Sequence, residues 1–110
     1  MTTSRSLNLM ATLRPKPGAV SRLKEIILNL SNNVKIYKPG CLSYQVWAYK
    51  TEDKATAFVL AENWASQDAF DDHHKQPHLQ KANKIIEDEK LLSDKAEDRL
   101  LSSAGGFTQR

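Results

Sequence analysis

From Ser6 to Leu13 the chain alternates, with Leu7, Leu9, Ala11 and Leu13 falling on one side. A period of two over eight residues predicts a half-buried strand. Pro15, Pro17 and Gly18 end it, because proline has no N–H to give to a ladder. At Ala19 the period becomes helical. Val20, Leu23, Ile26, Ile27, Leu30 and Val34 form one apolar stripe, and Ser31-Asn32-Asn33 weakens the helix before Lys38-Pro39-Gly40 turns the chain. Cys41 to Tyr49 reads as a second strand, rich in aromatic and β-branched residues. Strict alternation puts Leu42, Tyr44, Val46 and Ala48 on one face and Cys41, Ser43, Gln45, Trp47 and Tyr49 on the other. Thr51-Glu52-Asp53-Lys54 suits a hairpin loop. Ala55 to Trp64 follows as a third strand, with Phe58, Leu60, Glu62 and Trp64 sharing a face.

Ser66 stands where an N-cap belongs, and Asp68 adds favourable charge to the first helical turn. Ala69, Phe70 and His73 would line one side of a short helix, which Pro77 interrupts. A further helix would carry Leu79, Ala82, Ile85 and Ile86 to about Leu92. Residues 93–97 are polar, and Arg99 to Ala104 is expected to form the fourth strand, with a frayed tail from Gly105 to Arg110. The order βαββαβ predicts an α+β, ferredoxin-like antiparallel sheet with its helices on one face. The opposite face would carry Met10, Ser43, Gln45, Trp47, Ala57 and Val59, and no segment remains to cover it. A bare apolar sheet face is an interaction surface. A second copy of the chain is the economical cover, because two-fold pairs are the commonest oligomers. Two such sheets facing each other would close a dimeric α+β barrel.

At 110 residues the chain is expected to be one domain, with a core over about 5–104. No run approaches the 18 apolar residues that would argue for a membrane span. The N-terminal stretch lacks the apolar core of a secretory signal. Arg5, Arg14, Lys16, Arg22 and Lys24, with no acid before Glu25, weakly mimic an organelle transit peptide, but the alternation of Leu7 to Leu13 makes this segment a strand the fold needs. The single Cys41 cannot form an internal disulfide, so a reducing, cytoplasmic setting is expected. Net charge is +3 and uneven: residues 1–40 are basic and residues 51–110 are acidic. A nucleic-acid surface would gather its basic groups on one face. Here they are spread over loops and helix faces, so no nucleic-acid partner is expected, only solvated charges with some pairing between the two halves.

Three stretches resemble the antibiotic biosynthesis monooxygenase family of dimeric α+β barrels. They are Pro39-Gly40-Cys41-Leu42-Ser43-Tyr44, then Glu62-Asn63-Trp64-Ala65-Ser66-Gln67-Asp68-Ala69-Phe70, then His73 with Pro77-His78-Leu79. They are similar to the family's PGxxxY, E-x-W-x-S-x-x-A and H-x-x-x-P-H patterns, in the right order, and the likeness spans roughly residues 5–90. It implies a small-molecule site, and members include cofactor-free oxygenases, haem-degrading enzymes and isomerases. Where the haem-degrading branch has an Asn, a second Trp and a ligating His, this chain has Ala11, His73 and Asn83. The anthrone-oxidising branch has an Asn where Leu60 falls. The His73 and Pro77-His78 arrangement is closer to the quinol-oxygenase-like members.

The expected catalytic residues are His73, Tyr44, Glu62 and His78. His73 has the unperturbed pKa for proton transfer near neutrality. Its alternative is a helix-terminal histidine bonded to backbone. His74 should face solvent, and His78 either bonds backbone at the elbow or reaches the pocket. A buried Glu62 must be paired or raised in pKa, so Arg14, Lys16 or Lys38 is as good a structural partner for it as catalysis is a role. Tyr44 would bond a substrate oxygen or serve as a core aromatic. Trp64, Phe58, Leu60, Val46, Ala11 and Phe70 are the expected substrate-binding wall, with Trp64 also a core residue. No metal is expected from His73, His74 and His78, because Pro77 breaks the helical ligand spacing. No cofactor is expected either. Three function classes follow: a cofactor-independent monooxygenase of an anthrone, quinol or polyphenol using O2; a proton-transfer isomerase, cyclase or lyase of a small carbonyl or polyketide-like compound; and a non-catalytic dimeric binding module.

Overall fold

A computed structural model of the chain describes residues 6–107 and 109. Arg5, at the edge of the expected core, and Thr108 and Arg110, in the expected tail, lie outside the described residues. Four strands form one antiparallel sheet: β1 (Leu7–Leu13), β2 (Cys41–Lys50), β3 (Thr56–Trp64) and β4 (Glu97–Leu101). Their order across the sheet is β2-β3-β1-β4. The helices are α1 (Val20–Tyr37), α2 (Gln67–His74) and α3 (Pro77–Asp88). This is the ferredoxin-like α+β arrangement. None of the described helices is long and apolar enough to cross a membrane.

The apolar stripe of α1 drives the packing. Leu23, Ile26, Ile27, Leu30 and Val34 are all buried. Leu23 and Ile27 pack with Ala11, Leu13, Phe58 and Leu60 from the sheet. Ile26, Leu30 and Val34 join Trp64, Ala82 and Leu91 in a second cluster. The weak Ser31-Asn32-Asn33 stretch stays helical, held by Leu30 and Val34 on either side. Proline at the first turn of α3 costs no hydrogen bond, since that N–H has no partner in any helix.

The structure corrects four sequence expectations. Strict alternation fails on β2, because a bulge lies between Cys41 and Ser43. Two residues there oppose one on the partner strand. Cys41 therefore pairs with Trp64 and joins the helix side, while Leu42 is exposed. Ala57 belongs to the open face by alternation, yet it is fully buried. Its cross-strand neighbour is Tyr49, and a methyl group beside so large a side chain is screened from water. α3 stops at Asp88 rather than near Leu92: Leu91 is buried in the core and Leu92 forms an isolated bridge with Pro15. β4 spans Glu97–Leu101 rather than Arg99–Ala104, because its register is set by β1, with Thr12 opposite Glu97, Ala11 opposite Asp98 and Asn8 opposite Leu101.

The expected pairing of the two charge halves is present. Arg14 bonds Glu97 at 2.8 Å, Arg22 holds Glu89 at 2.8 Å, and Lys38 pairs with Asp72. The first two pairs are open to solvent, and screening leaves each of them little net effect on stability. Lys38 is better shielded, and its bond ties the end of α1 to α2.

Candidate active site

β3 ends at Trp64, and two residues later Ser66 caps α2, its Oγ accepting from the Ala69 N–H at 3.1 Å. Gly40 lets that helix approach. A Cβ added there would lie 2.7 Å from the Ala69 Cβ, and the Gly40 carbonyl accepts from the Ala65 N–H at 2.7 Å. α2 then delivers His73 onto Trp64, the two rings stacked with centroids 4.5 Å apart. Glu62 and Trp64 stand two apart on one strand, hence on one face. Trp64 Nε1 donates to Glu62 Oε1 at 2.9 Å. Phe70 meets the Trp64 ring edge-on at 6.3 Å. Tryptophan, carboxylate and imidazole thus form one buried unit.

In front of that unit a cavity of about 210 Å³ opens between sheet and helices. Leu9, Ala11 and Leu60 provide its apolar floor, and Leu79, Ala82 and Ile86 face it from α3. Tyr44, Glu62 and His73 supply polar groups. Of the ten expected site residues, Ala11, Leu60, Tyr44, Glu62 and His73 therefore come together. Trp64 lies behind them as support. Val46 packs against the Phe58 and Leu60 core, and Phe58 lines a separate shallow pocket with Val20 and Tyr49. Phe70 packs on Trp64 and His74. His78 lines a different cavity of about 420 Å³ between α1 and α3, with Asn29, Asn33 and Lys81.

Three polar lining residues were not among the expected ones. Asp98 enters from β4, Asn83 from α3, and the exposed His74 reaches the rim, its Nδ1 3.2 Å from the Phe70 carbonyl. The β4 register would have identified Asp98, since a strand beginning at Glu97 puts it opposite Ala11. Asn83 follows Ala82 on α3, and its proximity to the cavity has no marker in the helical period.

Burial raises the Glu62 carboxyl to about 7; the bond from Trp64 opposes this and the negative charge of Asp98 adds to it. Burial, followed by the Glu62 charge, also pushes the Tyr44 phenol up, so it remains a neutral donor. His73 moves the other way, to about 4, chiefly by burial and then by His74, His78 and Lys38. It is uncharged at neutral pH, and its buried Nδ1 has no partner among the described residues. His78 is also lowered, by burial and Lys38. Burial drives the Cys41 thiol to about 11, leaving it unreactive. Glu62 has none of the cationic partners expected for it, since Arg14 bonds Glu97 and Lys38 bonds Asp72. A buried carboxylate in this cavity is therefore raised to about 7, with a neutral imidazole beside it.

The model of the antibiotic biosynthesis monooxygenase family matches residues 6–85. The chain belongs to this family. A family protein from Caulobacter crescentus is 25% identical, with 91% of each chain covered and a TM-score of 0.80. Rv0793 from Mycobacterium tuberculosis is 24% identical over 94% of this chain and 100% of its own, with a TM-score of 0.75. SnoaB from Streptomyces nogalater, a cofactor-independent oxygenase, is 15% identical over 94% of this chain and 98% of its own, with a TM-score of 0.75. No curated protein matches the chain.

The family motifs have a physical content here. The glycine of PGxxxY and the alanine of E-x-W-x-S-x-x-A are the two sides of one close contact, Gly40 against Ala69. The serine between them is the helix cap. The tyrosine, glutamate and first histidine are three of the polar groups of the cavity. Among the described residues no three His, Cys, Asp or Glu side chains gather as a metal-holding group.

Proposed function

We propose that this protein is a cofactor-independent monooxygenase of an electron-rich hydroxylated aromatic, and that Glu62 takes the first proton. The observation that carries this reading is a buried carboxyl group, raised to about 7, in a cavity whose floor and helix side are apolar. A general base works best when its pKa lies near the operating pH. His73, at about 4, holds a proton too weakly at neutrality to drive the same step. The fold neighbour SnoaB, a cofactor-independent oxygenase, supports the reaction class.

Glu62 would accept a proton from the substrate while the neutral Tyr44 hydroxyl donates to the substrate oxygen. The resulting anion is electron-rich enough to reduce O2 directly, so the substrate is its own reductant. For a quinol the balance is one ring and one O2 giving one hydroxyquinone and one water, a ring C–H becoming C–OH while the ring loses two hydrogens overall. One oxygen atom enters the product, and the other leaves as water with the two hydrogens. A cavity of about 210 Å³ is larger than the ~150 Å³ that holds a benzene ring. That size favours a quinol or polyphenol of one or two rings over a three-ring anthrone. Purified protein supplied with such compounds is expected to consume O2 and substrate one to one. Substrate binding without oxygen uptake would overturn the reading. Turnover unchanged under strict anaerobiosis would instead identify a proton-transfer isomerase, cyclase or lyase, which needs the same base.

The protein is further proposed to act as a homodimer joined through the open sheet face. Trp47 and Tyr49 are exposed there, Met10 and Val59 are half-buried, and Leu101 adds an apolar edge. Asn63 donates to Asn8 on the same face at 2.7 Å. Trp47 sits on the edge strand β2, in the row Trp47–Val59–Thr12. A tryptophan buried in an interface commonly contributes about 2 kcal/mol or more to it. Trp47→Glu is expected to weaken the dimer at least about 30-fold and to leave a folded monomer. Sedimentation equilibrium decides it. Wild-type protein that is folded and sediments as a 12.4 kDa monomer at micromolar concentration would refute the dimer.

A further inference from the structure

We propose that Asp98 and Glu62 form a two-ended carboxylate clamp across the cavity floor, making Asp98 the residue that selects an uncharged ring with hydrogen-bond donors at both ends. The clamp rests on reading the cavity as the substrate site, and it deepens that reading.

The sheet register places the two groups. β1 lies between β3 and β4, with Leu9 opposite Glu62 and Ala11 opposite Asp98. Paired residues project to the same face of a sheet, so both carboxylates rise on the helix side with Leu9 and Ala11 between them. Two strand spacings across and one two-residue step along put their Cα atoms about 12 Å apart. A flat ring has room to lie on the floor with one donor toward each carboxylate, at ordinary hydrogen-bond distances of about 2.7 Å.

The charge of the cavity points the same way. The chain carries a net +3, yet no lysine or arginine lines this cavity. Its ionisable lining groups are Tyr44, Glu62, His73, His74 and Asp98. A ligand bearing a carboxylate or phosphate would meet like charge at both ends and no cation. Glu62 is 7% exposed, and among the described residues only Trp64 bonds it, through Oε1. Its other oxygen is left to accept from a ligand. His73, 2% exposed, lines the same cavity with Nδ1 unpartnered among the described residues, a second polar group that the fold leaves unsatisfied.

The test is binding by the full chain, by titration calorimetry under nitrogen so that no turnover enters. The probes are a para-dihydroxy arene of one or two rings and the same ring with a carboxylate replacing one hydroxyl. Wild type is expected to bind the diol at least tenfold more tightly than the hydroxy acid. Asp98→Asn, at an exposed and isosteric position, should narrow that ratio to less than threefold. It should also lower the midpoint of Glu62 in an NMR titration, which a purely structural role would not move. Equal binding of the two probes by wild type, an unchanged ratio in the variant, or no binding of the diol would each overturn the clamp. Discrimination that persists in a protein unable to use O2 would uphold the clamp while refuting the monooxygenase reading.

Discussion

Glu62→Gln is expected to abolish most turnover and, above pH 7, to make the protein more stable. The kinetic loss follows from the proposed role: removing a general base costs about 10²- to 10⁴-fold in rate. The stability gain follows from linkage. Glu62 has a folded-state pKa of about 7 against an ordinary value of 4.5, because burial disfavours its charged form. The folded state therefore binds more protons than the unfolded state between those values, and stability falls as pH rises. The contribution is fully present below 4.5 and is lost as pH rises through 7. Neutral glutamine carries no such penalty, so the variant should match wild type near pH 4.5. By pH 8 it should exceed it, by on the order of 3 kcal/mol.

His73 works in the opposite sense. Its folded pKa of about 4 lies below the ordinary value of 6.5. It contributes stability that is present above 6.5 and is lost as pH falls through 4. In wild type the two slopes offset each other between about 4.5 and 6.5. In Glu62→Gln only the histidine slope remains, so stability should climb with pH across that window. Urea unfolding at a series of pH values measures both effects. Parallel wild-type and variant curves would show that Glu62 is not the raised carboxyl.

The parts of the fold set by apolar period were readable from sequence. The α1 stripe, the β3 face of Phe58, Leu60, Glu62 and Trp64, the Ser66 cap and Pro77 at a helix start all reflect local rules, and the structure has them. What alternation misses is an inserted residue. The bulge at Leu42 moves Cys41 to the helix side, and no composition signal marks it. The start of β4 is hidden because its five residues are all exposed and carry two leucines only at the end. Its position depends on pairing with β1, a contact across more than eighty residues. Missing the first two residues of β4 also means missing Asp98.

The candidate site divides along the same line. Glu62, Trp64 and His73 were recognisable from spacing, but their protonation order was not. Solution values favour histidine as the base at neutrality. Burial is the main cause of the inversion, because it penalises the imidazolium and the carboxylate alike and so moves their pKa values in opposite directions past each other. Residue type therefore named the participants, and only packing assigned their roles.

Trp64 is the residue on which that packing depends, and its removal is expected to have the largest effect on stability. It is fully buried, stacks on His73, meets Phe70 and donates to Glu62. Trp64→Ala should cost about 3–5 kcal/mol, a large share of the stability of a domain this small. It would remove the surface against which α2 is seated. Trp64→Phe separates packing from hydrogen bonding, since it keeps an aromatic ring and loses the N–H donor. A buried acceptor left without its donor costs about 1–3 kcal/mol. The bond from Trp64 is also the influence that lowers the Glu62 pKa against burial. Without it the carboxyl should titrate higher, and the rising limb of the kcat/KM profile should move to more alkaline pH. Adding Glu62→Gln to the Trp64→Phe variant should then recover part of the lost stability at pH 8, because the uncompensated charge is gone. A Trp64→Phe profile that coincides with wild type, in a protein confirmed to be folded, would show that the indole N–H does not tune the base.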